Sequence, residues 1–120
     1  MKSGDIVHIE FPSADADRAQ RFWSGLFGWS FKDSGMSGMD YRMAQADGEK
    51  RVAVFPSEDR SGHPNYYFAV EDIEASLAKV RELGGETEDK MPVPGMGWFA
   101  SCKDSEGNAF RLYQVDSAAA

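Results

Sequence analysis

Two side chains that can bind metals or move protons lie close together near the start of the chain. His8 stands between Val7 and Ile9, and Glu10 follows two residues later. Because an imidazole titrates near neutral pH, such a histidine can act as a general base, hold a metal ion or only fill a core. Alternation along a strand places His8 and Glu10 on the same face. The question is therefore which other groups share that face.

The remaining residues of this chemistry are few. The chain contains one more histidine, His63, and a single cysteine, Cys102. One cysteine cannot form an internal disulfide, which predicts a reducing compartment, the cytoplasm. Cys102 lies in a strand-like run with no histidine motif beside it, so we interpret it as a buried small side chain rather than a nucleophile.

The composition of the 120 residues argues against two classes of partner. The formal net charge is −7, whereas nucleic acids and anionic membranes are bound by clustered Lys and Arg. No apolar run approaches the ~18 residues that a membrane span needs, and the first residues do not resemble a signal peptide. We expect one globular domain, residues 1–120, that binds neither nucleic acid nor membrane.

Two amphipathic helices are predicted to position the strands. Apolar residues recur at spacings of three and four from 16 to 27, after Asp15 as a candidate N-cap and before Gly28 as a stop. A second helix begins at about Asp72. Its apolar stripe is Ile73, Leu77, Val80 and Leu83.

The order of elements repeats along the chain. An offset of 57 residues places Asp15 on Asp72 and Gly28 on Gly85. Each half is predicted to be strand, helix and three strands, so we predict two βαβββ modules at about 5–56 and 64–115.

Three segments carry a family resemblance. They are HIEFPSADADRAQRFWSGLFGWSF, VEDIEASLAKVRELGGE and KDSEGNAFRLYQ. In composition and order they resemble the vicinal oxygen chelate superfamily, which comprises glyoxalases, bleomycin resistance proteins and extradiol dioxygenases. The resemblance implies an α+β fold in which two βαβββ modules form a curved, mixed, eight-stranded sheet, with helices on its outer face and an open cavity face. It also implies a homodimer.

The resemblance also implies where a divalent metal would be held. Metal-dependent members of the superfamily use one side chain from the first and one from the last strand of each module. In this chain His8 stands at the first of these positions, but the others fall on Val52, Asn65 and Arg111. An arginine repels a divalent cation, so we expect the family metal site to be degenerate and no cofactor to be required. The alternative is an unusual metal site of His8, Glu10 and His63.

Strand alternation predicts a mixed polar and apolar pocket for a small organic ligand. Its tentative catalytic residues are His8 and Tyr67. The predicted ligand-binding residues are Glu10, Asn65, Arg111, Tyr113, Val52 and Trp98. Alternatively, Glu10 and Arg111 only pair with each other, His8 is a hydrogen-bonded structural residue, and the aromatic residues only pack.

Three functions remain open on this evidence. The leading hypothesis is a metal-independent protein that binds a hydrophobic or aromatic metabolite or antibiotic. The second is a metal-dependent lyase, isomerase or dioxygenase that uses His8 and Glu10. The third is an enzyme without metal in which His8 or Tyr67 moves a proton.

Overall fold

The computed structural model of the chain describes residues 2–34, 38–48, 50–57 and 62–120. These residues form two helices and nine strands. The strands are β1 (Ile6–Ser13), β2 (Lys32–Asp33), β3 (Arg42–Asp47), β4 (Lys50–Pro56), β5 (Asn65–Ala69), β6 (Glu86–Thr87), β7 (Met91–Val93), β8 (Gly97–Lys103) and β9 (Ala109–Val115). The helices are α1 (Ala16–Phe27) and α2 (Ile73–Glu82).

The α+β class with a mixed sheet is confirmed, and each of the two helices follows a strand and precedes further strands. The number of strands in the described part is nine rather than eight, because the long loop before β8 contains two short strands, β6 and β7. Both pair antiparallel with β8, β6 at Lys103 and Cys102 and β7 at the opposite end. The chain divides into a first unit, His8–Asn65, and a second unit, Tyr66–Ala120 together with Met1–Val7.

In the first unit the strands pair in the order β2, β3, β4, β1. The β4–β1 pairing is parallel and the others are antiparallel. Helix α1 packs on one face of these strands through a core that contains Phe31, Ala44, Val52 and Val54, with Ile9, Phe11, Ala19, Trp23, Trp29 and Ala46 against it. The indole of Trp23 stacks on Phe11, with ring centroids 4.5 Å apart.

Local interactions define both ends of α1 as the sequence predicts. The Asp15 carboxylate accepts a hydrogen bond from the Arg18 backbone N–H at 3.0 Å, which caps the first turn. Gly28 has φ of 73°, a left-handed conformation that glycine adopts without strain, and its N–H donates to the Ser24 carbonyl.

Arg42 of β3 joins this strand to α1. Its Nη1 donates to Asp17 at 2.9 Å and to Gln20 at 2.8 Å, and its Nε donates to Asp40 at 2.9 Å. The hydrogen bonds to the Asp40 and Asp17 carboxylates raise the pKa of the guanidinium above its already high ordinary value. Arg42 therefore stays charged and links the helix to the strand with a planar fork of donors.

In the second unit β5 pairs parallel with β9, and β9 pairs antiparallel with β8. Helix α2 packs on one face of these strands through Ile73, Leu77, Ala100, Cys102 and Leu112. The helix ends at Glu82, one residue before the last member of the predicted stripe, and Leu83 is 68% exposed. The expectation that Leu83 belongs to the apolar face is therefore wrong. Neither helix of the described chain is long and apolar enough to cross a membrane.

Candidate functional site

A polar cluster occupies the face of the first unit opposite α1. His8 and Glu10 project from β1, two residues apart, and Tyr41 reaches them from the residue before β3. The Tyr41 hydroxyl donates to Oε2 of Glu10 at 2.5 Å and lies 2.7 Å from Nε2 of His8. Asn65 donates from Nδ2 to Oε1 of Glu10 at 3.0 Å. We call His8, Glu10, Tyr41 and Asn65 the polar cluster.

Burial makes these hydrogen bonds important. Glu10 is only 8% exposed and Tyr41 only 7%. A buried carboxylate costs several kcal/mol of solvation free energy unless donors satisfy it, and here each oxygen accepts a hydrogen bond from a neutral side chain. Since His8 is partly exposed, the cluster runs from a buried carboxylate to a more accessible imidazole. This arrangement can orient a ligand or transfer a proton.

A second set of predicted residues meets in the second unit. Tyr67 of β5 lies directly opposite Arg111 of β9, and Tyr113 of β9 lies opposite Phe99 of β8. The Arg111 guanidinium lies 5.4 Å from the ring centroids of both Tyr67 and Phe99. Its Nη1 donates to the Tyr67 hydroxyl at 2.5 Å. We call Tyr67, Phe99, Arg111 and Tyr113 the aromatic–arginine face.

The structure thus brings the predicted residues together in two groups, one in each unit. Glu10 and Asn65 are directly hydrogen-bonded, and His8 is linked to them through Tyr41. The ion pair between Glu10 and Arg111 would join different units and stays a prediction.

The expected position of Val52 is wrong. Val52 pairs with Ile9 in the parallel β1–β4 register, and it packs in the core beneath α1. The residues of β4 that pair with His8 and Glu10 are Arg51 and Ala53. Val52 therefore lies on the face opposite the polar cluster, because side chains of paired residues in a sheet point the same way.

Trp98 also lies away from the aromatic–arginine face. It packs against the core beneath α2, its indole N–H donates to Asp116 at 3.0 Å, and the Lys90 ammonium lies 4.4 Å from its ring centroid. The Ala118 backbone N–H and the Trp98 indole hold the pKa of Asp116 below its ordinary value. Trp98 therefore packs on the face of β8 that meets α2, and its contact with a ligand stays a prediction.

The donor set does not fit the divalent metal that the fold family implies. His8 Nε2 and Glu10 Oε2 lie 3.9 Å apart and supply two donors, whereas the paired Arg51 and Ala53 supply none. His63 is exposed and precedes β5. Within residues 2–34, 38–48, 50–57 and 62–120, no three His, Cys, Asp or Glu side chains are grouped to hold a metal ion.

A surface groove of about 540 Å³ lies in the first unit, between the end of α1 and β3. Phe27, Trp29, Lys32 and Met43 contribute to its lining. None of the predicted site residues lines it, so we do not assign it to the site.

Sequence reasoning missed Tyr41 and Phe99. Tyr41 lies 31 residues from Glu10 along the chain, and its role depends on how β3 is placed beside β4 and β1. Phe99 could have been found from the alternation of side chains along strands. When β8 and β9 pair as a hairpin, Phe99 lies opposite Tyr113 and on the same face of the sheet.

The sequence of the chain matches a known protein family. A family model described as glyoxalase-like domain matches residues 7–113. The chain therefore belongs to the glyoxalase-like domain family, and the resemblance seen in the sequence is confirmed.

Similar proteins add detail to this assignment. "Putative glyoxylase CFP32" of Mycobacterium tuberculosis is 30% identical over 125 residues, covering 96% of this chain and 47% of that protein. Anthracycline biosynthesis protein DnrV of Streptomyces peucetius is 31% identical over 131 residues, covering 92% and 47%. The chain thus spans about half the length of both relatives. A methylmalonyl-CoA epimerase structure from Streptomyces coelicolor has the same fold, with a TM-score of 0.72, 18% identity and coverage of 95% and 99%.

Proposed function

We propose that this chain binds a small, planar organic molecule without a transition metal, and that the aromatic–arginine face is the surface it contacts. The observation that carries this proposal is the Arg111 guanidinium, which lies over two aromatic rings. The hydrogen bond from Nη1 to the Tyr67 hydroxyl and the two nearby rings hold the guanidinium in place. Such a fork, held in place before binding, favours a ligand that carries a carboxylate, phenolate or carbonyl oxygen.

The surrounding side chains favour an aromatic ligand. Tyr67, Phe99 and Tyr113 provide an apolar surface beside the charge, and aromatic rings stack on such surfaces. DnrV, by its name, belongs to the biosynthesis of anthracyclines, which are polycyclic aromatic compounds. We infer that a planar polycyclic ligand with an acidic hydroxyl or a carbonyl group suits this face.

A fluorescence titration with a tetracyclic anthraquinone of the anthracycline type tests the proposal. The protein is first treated with EDTA, and we expect saturable binding. Arg111→Lys keeps the charge but loses the planar fork of N–H donors, so binding should weaken about tenfold, equivalent to ~1.4 kcal/mol. Arg18→Lys, at an exposed position of α1, is the matched control and should bind as the unchanged protein does.

Two results would contradict the proposal. One is the absence of saturable binding for the anthraquinone and for a wider panel of planar aromatic acids. The other is equal affinity in the Arg111→Lys and Arg18→Lys proteins. Binding that EDTA abolishes and a divalent metal restores would favour the metal-dependent alternative.

A second candidate function is proton transfer without a metal, and the polar cluster favours it. His8 shares the Tyr41 hydroxyl with the buried Glu10 carboxylate, so an imidazole that takes a proton is linked to a nearby negative charge. We expect a bound ligand with an acidic C–H to exchange that hydrogen with deuterium from D₂O. Mass spectrometry measures the exchange, and His8→Ala should abolish it while leaving the fold intact.

A further inference from the structure

One hydroxyl proton is shared by two potential acceptors in the polar cluster. The Tyr41 oxygen lies 2.5 Å from Glu10 Oε2 and 2.7 Å from His8 Nε2. A phenol has a single hydrogen to donate, so it cannot donate to both groups at once. The direction of these two hydrogen bonds determines which nitrogen of His8 carries a proton.

The geometry favours donation toward Glu10. An ionised carboxylate can only accept hydrogen bonds, and charge-assisted bonds of this kind are the shorter and stronger ones. The second carboxylate oxygen accepts from Asn65 Nδ2 at 3.0 Å, which fixes the orientation of the carboxylate toward Tyr41. The Tyr41 oxygen then faces Nε2 of His8 with a lone pair, and Nε2 must donate.

The position of the ring is also constrained. The His8 and Tyr41 rings lie nearly parallel, with an interplanar angle of 25° and centroids 6.3 Å apart. The Tyr41 backbone is held as well, because its carbonyl accepts from the Ser34 N–H at 2.9 Å. The hydroxyl is therefore presented to His8 by a residue whose backbone and ring are both fixed.

We infer that Tyr41 is a positioning residue that keeps the proton of neutral His8 on Nε2, which makes Nδ1 the nitrogen that accepts a proton or a hydrogen bond. Glu10 orients Tyr41, and Asn65 orients Glu10. The role of Nδ1 toward a ligand rests on the proposed proton transfer, whereas the position of the proton does not.

Nitrogen NMR of the full ¹⁵N-labelled chain tests this inference directly. A long-range ¹H–¹⁵N spectrum at about pH 8, where a reference imidazole is neutral, distinguishes the protonated ring nitrogen from the unprotonated one. The chain has only two histidines, so a His63→Ala protein assigns the signals. We expect the unprotonated signal of His8 to come from Nδ1. The exposed His63 provides the reference for a ring in equilibrium between tautomers.

Two variants test the direction of the hydrogen bonds. In Tyr41→Phe the oxygen that accepts from Nε2 is absent, so the two His8 tautomers should become mixed. In Glu10→Gln the new side-chain amide donates a hydrogen bond to the Tyr41 oxygen. The Tyr41 hydroxyl then donates to Nε2 of His8, so the proton of neutral His8 should move to Nδ1. Tyr66→Phe removes an exposed hydroxyl and should leave the His8 signals unchanged.

An unprotonated Nε2 in the unchanged protein would overturn the inference. So would a Tyr41→Phe protein that keeps a native ¹H–¹⁵N amide spectrum and the same His8 tautomer. If a variant does not fold, the spectrum of the unchanged protein still shows which ring nitrogen of His8 carries the proton. None of these spectra involves a ligand. Failure of the ligand-binding experiment would therefore not affect the tautomer result, and an unexpected tautomer would not affect the ligand-binding result.

Discussion

Gly97 lies where β8 passes very close to β9. A Cβ atom built on Gly97 would lie 2.2 Å from the Gln114 carbonyl oxygen and 2.8 Å from the Tyr113 hydroxyl. Backbone oxygen cannot yield to such a contact without moving the strand. Gly97→Ala should therefore destabilise the protein by about 1–3 kcal/mol, as overpacked core positions do. Urea unfolding measures the change.

Gly25 provides the opposite case. It lies within α1, and no atom lies within 4 Å of a Cβ built there. Gly25→Ala should stabilise the protein by roughly 0.5–1 kcal/mol, because glycine loses more backbone entropy in a helix. Destabilisation by Gly25→Ala would contradict this account of Gly25, and a Gly97→Ala protein of unchanged stability would contradict the account of Gly97.

Cys102 should be unreactive in the folded protein. It is only 5% exposed, and burial raises the pKa of its thiol to about 11. Since the thiolate is the nucleophile, alkylation by iodoacetamide at neutral pH should be slow until the chain is unfolded by urea. Rapid labelling of the native protein, followed by mass spectrometry, would show that this account is wrong.

The same pKa has a consequence for stability. A thiol whose pKa is raised on folding binds its proton more tightly in the native state than in the unfolded one. The contribution of the Cys102 thiol to the free energy of unfolding is therefore complete below pH 9.0, the ordinary pKa, and is lost as the pH rises from there to about 11. Between about pH 9 and pH 11 the free energy of unfolding should therefore fall more in the unchanged protein than in Cys102→Ala, and urea unfolding at several pH values measures the difference.

The sequence was informative about single residues where local rules apply. Alternation placed His8 with Glu10, and it placed Tyr67 with Arg111, because adjacent residues of a strand face opposite ways. It placed Val52 incorrectly because a count from Gly48 along β4 does not determine how β4 pairs with β1. In the parallel β1–β4 register Val52 lies beside Ile9, and this pairing of distant segments is not visible in the local pattern.

At the scale of elements, two leucines at α2, one within the helix and one just after its end, have very different surroundings. Leu77 is 4% exposed and packs with Ile73, Ala100 and Leu112, whereas Leu83 is 68% exposed. Leu77→Ala should cost about 2–5 kcal/mol of unfolding free energy, through lost burial and the cavity left behind. Leu83→Ala should change it by less than ~0.5 kcal/mol. Thermal unfolding of both variants compares them, and similar losses would contradict the packing described.

Helix boundaries were predictable where a capping side chain marks them. Asp15 and Asp72 cap their helices as expected, since a short acidic side chain satisfies the first backbone N–H groups. The end of α2 was less clear, because Leu83 continues the apolar spacing. The helix stops before it at Glu82, and this choice depends on the turn through Gly84, which has φ of 94°.

For the whole molecule, the donor set predicts how metals behave. Among the described residues, the polar cluster brings together one imidazole and one carboxylate, His8 and Glu10, where a catalytic zinc site uses three such ligands. We expect protein purified without added metal to contain substoichiometric zinc, manganese, iron and nickel, and EDTA to leave the melting temperature unchanged. Elemental analysis and thermal unfolding measure this. One tightly held equivalent of metal that is lost in His8→Ala would contradict the expectation.

The predicted homodimer and cytoplasmic location stay predictions. Dimerisation depends on surfaces whose partners are not encoded by any local pattern. Several large apolar side chains of α1 are exposed, with Phe22 at 60% and Leu26 at 57%, but exposure alone does not identify what covers them. Sedimentation of the purified chain measures its oligomeric state.

The Arg42 fork has a consequence for motion in the native state. Helix α1 has no fully buried residue, so its attachment depends on the Trp23 ring stack and on the charged hydrogen bonds of Arg42 to Asp17 and Gln20. Salt screens exposed charges, whereas the apolar contacts of Ile73 and Leu77 in α2 do not weaken with it. In native-state hydrogen exchange, α1 should open before α2, and increasing salt should widen the difference between them.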